Sequence, residues 1–180
     1  MRKRPQFLAI GALLLCFFCF TPQYVSGQKD NTVRIEFYQK ELNTVLKPSD
    51  KIPILSEAIE EFTEKEDQEA LAVFYREKGK VYRNIGVIDS SLVAYEYALN
   101  ISRSLSDTTG LKKVLLSLGG IEAQNDRYIK AEKHIQELIN ILQSQGDSTR
   151  LASSLNTLGV IHQYKGDLRK AERVLKHELC

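Results

Sequence analysis

The side chains that could bind a metal ion or act as an acid or base are few and poorly spaced. The three histidines are His134, His162 and His177, and no two of them lie four residues apart. A helix needs that spacing to point two imidazoles at one metal ion. His162 falls at a position that predicts packing between helices. The histidines therefore indicate no metal site.

Other patterns typical of catalysis or cofactor binding do not occur either. Gly119-Gly120 lies inside a predicted helix, and Gly86 and Gly166 are expected in turns, so none of them predicts a phosphate-binding loop. Carboxylate pairs such as Glu60-Glu61 belong to a charged helix end that water is expected to solvate. We therefore expect no enzymatic activity and no cofactor.

The first 27 residues have the layout of a secretory signal peptide. Arg2, Lys3 and Arg4 are followed by an uncharged apolar run over residues 7–20 and a short polar stretch that ends at Gly27. This order is typical of export signals, whereas a transmembrane helix needs about 20 apolar residues. We expect cleavage after Gly27 and a mature protein that is periplasmic or secreted. An uncleaved membrane anchor is the alternative, and it would be the protein's link to a membrane.

Removal of this segment changes what charge and cysteine content imply. It takes away three basic residues and no acidic ones, so the net charge falls from +2 to −1. A nucleic-acid partner, which would call for a concentrated basic excess, is therefore not expected. Cys16 and Cys19 leave with the segment, so Cys180 stays alone and no internal disulfide can form.

The rest of the sequence repeats with a period of forty residues. The sets that match at this spacing include Leu71, Leu111 and Leu151, then Gly79, Gly119 and Gly159, then Ser91, Ala131 and Ala171. Each unit carries two stretches with apolar residues at helical spacing, separated by a turn. The sequence therefore predicts an all-α array of helix pairs.

Two residue types recur in this array for structural reasons. Asp67, Asp107 and Asp147 each precede the first apolar stretch of a unit, where an aspartate caps the unpaired N–H groups of a helix. Glycine inside a helix costs about 1 kcal/mol relative to alanine. Its return at one register predicts that a neighbouring helix approaches too closely for a side chain. Small residues on the second helix, such as Ser91, are expected to make that contact.

The last unit resembles a known repeat family. Leu158-Gly159, with Ala171 twelve residues after the glycine and then the bulky Leu175, is similar to the tetratricopeptide repeat. The first unit departs from the family pattern at Lys78 and Ser91, where leucine and alanine are usual. The forty-residue period is similar to that of tetratricopeptide regions in bacterial signalling proteins. The resemblance implies a right-handed superhelical solenoid of antiparallel helix pairs that binds a protein or peptide.

The repeat register divides the chain into five segments. They are the signal peptide at 1–27, a degenerate capping pair at 28–70 with helices at 33–46 and 51–64, and tetratricopeptide-like repeats at 71–110, 111–150 and 151–180. A structureless spacer is the alternative for the second segment. Because the last repeat is incomplete, we expect the chain to be a fragment, a truncated open reading frame, or a protein whose C-terminal face is covered by a partner.

The resemblance also implies a binding groove that is lined by the first helix of each repeat. The residues predicted to face it are Arg76, Lys80, Arg83 and Asn84 from the first repeat, Lys113, Ser117 and Gln124 from the second, and Asn156, Thr157 and Tyr164 from the third. Four of them are basic and none is acidic. Since a groove of one charge attracts ligands of the other, we expect an acidic or carboxylate-terminated peptide. The family's carboxylate clamp is not reproduced, because Ser117 and Thr157 stand where it needs other residues.

A second interpretation places the chain in another class of protein. The N-terminal extracytoplasmic sensor part of a tetratricopeptide-containing histidine kinase or transcriptional regulator would share the export signal and the repeats. A continuing reading frame with an apolar stretch of about 20 residues would favour that alternative.

Overall fold

The computed structural model describes Thr21–His177, and within that range the chain forms eight α-helices and no strand. The helices are α1 (Thr21–Thr44), α2 (Lys51–Glu64), α3 (Gln68–Asn84), α4 (Ile88–Ser104), α5 (Thr108–Gln124), α6 (Tyr128–Gln145), α7 (Ser148–Tyr164) and α8 (Leu168–His177). A short 3₁₀ turn at Pro48–Asp50 precedes α2. The predicted all-α class is confirmed.

The chain falls into two units, Met1–Asn43 and Thr44–Cys180. Helix α1 accounts for the described part of the first unit, and it begins twelve residues before the predicted start at Val33. The helix can begin there because Pro22 lies in its first turn, where a missing N–H is tolerated. The basic and apolar parts of the predicted signal peptide, residues 1–20, lie outside the described residues. Whether α1 and α2 form a capping pair stays a prediction.

Helices α3 to α8 repeat with the period read from the sequence. The first helices of the three pairs begin at Gln68, Thr108 and Ser148, which are forty residues apart. The second helices begin forty residues apart as well. Each helix packs against the one before it and the one after it in the chain. The second unit is therefore a stack of helix hairpins.

The three recurring aspartates cap the first helices, as predicted. The carboxylate of Asp67 accepts the N–H of Ala70 at 2.9 Å. Asp107 and Asp147 accept the N–H three residues later at 3.0 and 3.2 Å. Each aspartate thus satisfies a donor that has no partner inside its own helix.

Each of the six turns from α2 to α8 has one residue in the left-handed backbone region, and these residues recur every twenty positions. They are Glu66, Gly86, Ser106, Asp126, Gly146 and Gly166. After each comes an N–H that bonds back to a helix carbonyl, such as that of Asp107 to Ser102 at 2.9 Å. This closure ends a helix sharply and suits glycine best, because other residues are strained there. Three of the six turns form without glycine.

Two of the recurring helical glycines, Gly79 and Gly119, lie where the paired helices approach closely, as predicted. A Cβ on Gly79 would lie 2.8 Å from the ring of Tyr95, and one on Gly119 would lie 2.5 Å from the Ile135 side chain. The small residue Ser91 completes the first contact, because its buried hydroxyl donates to the carbonyl of Gly79 at 2.8 Å. The hydrogen bond gives a reason for serine at a position where the family usually has alanine.

The other departure from the family pattern, Lys78, also has a contact that accounts for it. Its half-buried Nζ donates to the Ser56 hydroxyl of α2 at 3.0 Å, and burial lowers the pKa of this amine. The stacked rings of Phe62 and Phe74, 5.4 Å apart, also join α2 to α3.

Within the part of the chain that the structure describes, none of the helices has the length and apolar character needed to cross a bilayer.

Candidate binding groove

The first helices of successive repeats lie side by side. Helix α3 contacts α5, and α5 contacts α7. In the described part of the second unit, no second helix makes a comparable contact with the next second helix. A stack whose first helices are closer together than its second helices curves toward the first helices. Helices α3, α5 and α7 therefore line the inner side, which is the candidate groove.

All ten residues predicted to face the groove lie on these three helices. Seven of them are exposed, and Arg76, Ser117 and Thr157 are half-buried. On α3, Arg76, Lys80 and Arg83 follow at intervals of four and three residues, so they share one face of the helix. The structure thus brings the basic residues of the first repeat into one stripe.

The cations of this stripe, and Lys113 on α5, have few intramolecular partners. Lys80 lies 3.5 Å from the Glu77 carboxylate, the acid at the edge of the stripe. The side chains of Arg76, Arg83 and Lys113 make no hydrogen bond or ion pair with any residue that the structure describes. Charges without a local counter-ion stay available to a ligand.

The polar residues predicted for the groove are less available. The hydroxyl of Ser117 donates to the carbonyl of Lys113, and that of Thr157 to the carbonyl of Ser153, each at 3.0 Å. These bonds lie within their own helices. Tyr164 is different, since it is 69% exposed and stacks on Tyr128 with ring centroids 6.0 Å apart. Tyr164 forms an aromatic surface at the end of α7.

Tyr128 is itself held in place at the start of α6. Its hydroxyl donates to Asp126 at 2.5 Å, and this hydrogen bond raises the pKa of the phenol. The stacked pair therefore has one ring, Tyr128, that is fixed by a turn residue. Tyr164 therefore packs on a fixed ring, and this contact could not be predicted from the spacing of residues in the sequence.

A cavity of about 250 Å³ opens between α5 and α7, with α6 beneath it. It is lined by Thr109, Lys112, Lys113, Leu116, Leu138, Leu142, Arg150, Ser153 and Ser154. Lys113 is the one residue of the predicted set that lines it. The rest were missed because the family register identifies groove-facing positions but does not predict where neighbouring helices leave space.

This cavity combines an apolar floor with a basic rim. Leu138 and Leu142 are 3% and 1% exposed and form the floor. Three basic residues and no acidic residue line it. Lys112 donates to the amide oxygen of Gln145 at 2.6 Å, and Arg150 lies 3.1 Å from the Asp147 carboxylate. A ligand with an apolar side chain next to a carboxylate would match both parts.

Two buried polar groups lie away from the groove. His162 is 4% exposed, which confirms it as a packing residue. His134 lies 2.7 Å from the Glu122 carboxylate, which is 1% exposed. Sequence reasoning missed this pair, although it has the twelve-residue offset that also relates Gly79 to Ser91. Among the described residues, no three side chains of the metal-binding types come together.

Comparisons with known proteins agree with this architecture. A tetratricopeptide repeat family model matches residues 111–179. BtubC (BKLC) from P. vanneervenii is similar over 82% of this chain and 59% of its own, with 25% identity and a TM-score of 0.67. This chain thus spans about three fifths of the length of BtubC. MamA shares the fold over 85% of this chain and 92% of its own, with 17% identity and a TM-score of 0.52. A search of curated proteins found no significant match. The helix pairs, the family match over residues 111–179 and these neighbours together show that the chain has a tetratricopeptide-like helical repeat fold.

Proposed function

We propose that this protein is exported and binds an acidic or carboxylate-terminated peptide segment of a partner protein in the groove of α3, α5 and α7. The fold supports the general part of this proposal, because tetratricopeptide repeats typically form non-catalytic scaffolds for protein interactions. Function must still be argued from the site itself, since one fold serves many partners.

The observation that carries the proposal is the set of cations without local partners on the inner helices. Arg76, Arg83 and Lys113 have no intramolecular counter-ion in the described structure. The mature chain is expected to have a net charge of −1, so this basic stripe is a local feature. The groove is positive while the whole molecule is slightly negative. The groove should therefore attract acidic segments more strongly than the rest of the surface does.

A nine-residue peptide is long enough to test the whole groove. Neighbouring helices pack about 8–10 Å apart, so α3 and α7 are separated by about 20 Å. An extended peptide of nine residues spans up to about 30 Å. Labelled Gly-Glu-Asp-Glu-Leu-Glu-Asp-Glu-Gly can therefore contact all three first helices at once.

Charge reversal at Arg76, Lys80 and Arg83 together should weaken binding of this peptide tenfold or more, equal to about 1.4 kcal/mol. The measurement is fluorescence anisotropy, with circular dichroism to show an unchanged melting temperature. The matched control reverses Lys130, Lys133 and Arg169, which are exposed basic residues on second helices. Equal weakening by both triple variants would mean that net charge, and not the groove, attracts the peptide.

Export is tested independently of binding. N-terminal sequencing of the protein purified from the native host should give a chain that begins near Gln28. An intact Met1 in a membrane fraction would instead show that the apolar segment is an anchor.

A further inference from the structure

We propose that the cavity between α5 and α7 is an anchor site for one leucine-sized side chain of the bound peptide, with acidic residues of that peptide on either side. This inference rests on the proposed function, because it names the chemistry of the segment that the groove would bind. It adds an apolar requirement that the basic stripe alone does not impose.

The size of the cavity selects a side chain over a larger ligand. Its volume of about 250 Å³ is below the range of about 300–1,000 Å³ that is usual for small-molecule sites. The floor is made of the buried Leu138 and Leu142, and Leu116 forms a wall that is 51% exposed. An aliphatic side chain placed here would remove its own apolar surface and part of the Leu116 surface from water.

The basic residues around the cavity opening determine which peptide residues can flank the anchoring side chain. Lys112, Lys113 and Arg150 surround the opening, and no acidic side chain lines it. Lys113 has no counter-ion among the described residues, while Arg150 has one at 3.1 Å. Carboxylates next to the anchoring side chain would complete these charge-assisted contacts. A basic or purely apolar segment would leave the lysine unpaired.

The cavity arises from a local departure from the repeat. Where the second repeat has Lys113-Val114, the third has the smaller Ser153-Ser154. Where the second repeat meets the first, Gly110 occupies the position that is equivalent to Arg150, forty residues earlier in the chain. A Cβ on Gly110 would lie 2.9 Å from the Ser102 hydroxyl, so α5 lies close to α4 at this point. The anchor site therefore belongs to the seam between the second and third repeats.

The test compares two labelled peptides that differ at their centre. Gly-Glu-Asp-Glu-Leu-Glu-Asp-Glu-Gly should bind at least tenfold more tightly than the same peptide with alanine for leucine. Ser153→Phe places a ring over the opening and should reduce this preference to less than twofold. Ser104→Phe is the matched control, because Ser104 is an exposed helical serine that does not line the cavity. It should leave the preference intact.

Leu116→Ala provides a second variant that does not block the opening. It should weaken binding of the leucine peptide more than binding of the alanine peptide, so the preference for leucine falls. If both peptides bind equally well and neither variant matters, the anchor inference fails while acidic-peptide binding stands. If neither peptide binds the wild-type protein, the proposed function fails together with the anchor.

Discussion

Gly119 and Gly120 are neighbours in the middle of α5, yet the structure assigns opposite consequences to the same substitution. A Cβ on Gly119 would lie 2.5 Å from Cδ1 and 2.6 Å from Cγ1 of Ile135, whereas a Cβ on Gly120 would meet nothing within 4 Å. Comfortable carbon–carbon contact begins at about 3.5 Å. Ile135 is completely buried, so it cannot move aside without disturbing the core around it.

The expected magnitudes follow from two terms. Replacing a helical glycine with alanine raises helix stability by about 1 kcal/mol, and this gain applies equally at both positions. Gly119→Ala also overpacks the core, which costs about 1–3 kcal/mol. Gly120→Ala should therefore stabilise the protein by about 1 kcal/mol, and Gly119→Ala should leave it unchanged or destabilise it by up to about 2 kcal/mol. The difference between the two variants isolates the packing cost, because the helix terms cancel.

Urea unfolding followed by circular dichroism measures this difference directly. The midpoint should rise for Gly120→Ala and stay the same or fall for Gly119→Ala. Stabilisation of both variants by the same amount would refute the close approach of α6 to α5 at Gly119. In that case close helix packing would not explain why glycine recurs at this position of the repeat.

Two further predictions concern turns and charge. Gly86→Ala should lower the free energy of unfolding by about 1 kcal/mol through backbone strain alone, since a Cβ there would meet nothing within 4 Å. Ser106→Gly should raise the free energy of unfolding by up to about 1 kcal/mol, because it relieves the same strain. The urea midpoints of the two variants check both signs. The hydrogen bond from Lys165 lowers the pKa of Glu132 below its ordinary 4.5, so the contact stabilises the fold above that value and the stabilisation is lost as pH falls through the lowered pKa. Glu132→Gln should therefore be less stable than wild type at neutral pH, and the urea midpoints of the two should converge as the pH falls below 4.5 and through the lowered pKa of Glu132. A gap that does not narrow as the pH is lowered would mean that the glutamate acts through something other than its charge.

The repeating architecture could be predicted from the sequence because its causes are local. Apolar residues at helical spacing define the helices, and the period of forty relates one pair to the next. The aspartate caps need only a carboxylate three residues before an unpaired N–H. The close approach at Gly79 could be inferred too, because a helical glycine is costly unless packing requires it.

The contacts that define the candidate site depend on distances between helices. Ser153 and Ser154 show in sequence as a departure from the repeat, but that departure does not say whether the helices close the gap or leave a cavity. The pairing of Glu122 with His134 depends likewise on the approach of α5 to α6. Left-handed turns at residues other than glycine, as at Ser106, carry no sequence mark, because the flanking helices impose the backbone angle. The sequence by itself thus determined the helices, their caps and their order, while the tertiary structure decided where the surface between them is open, since that depends on how closely the packed side chains allow the helices to approach.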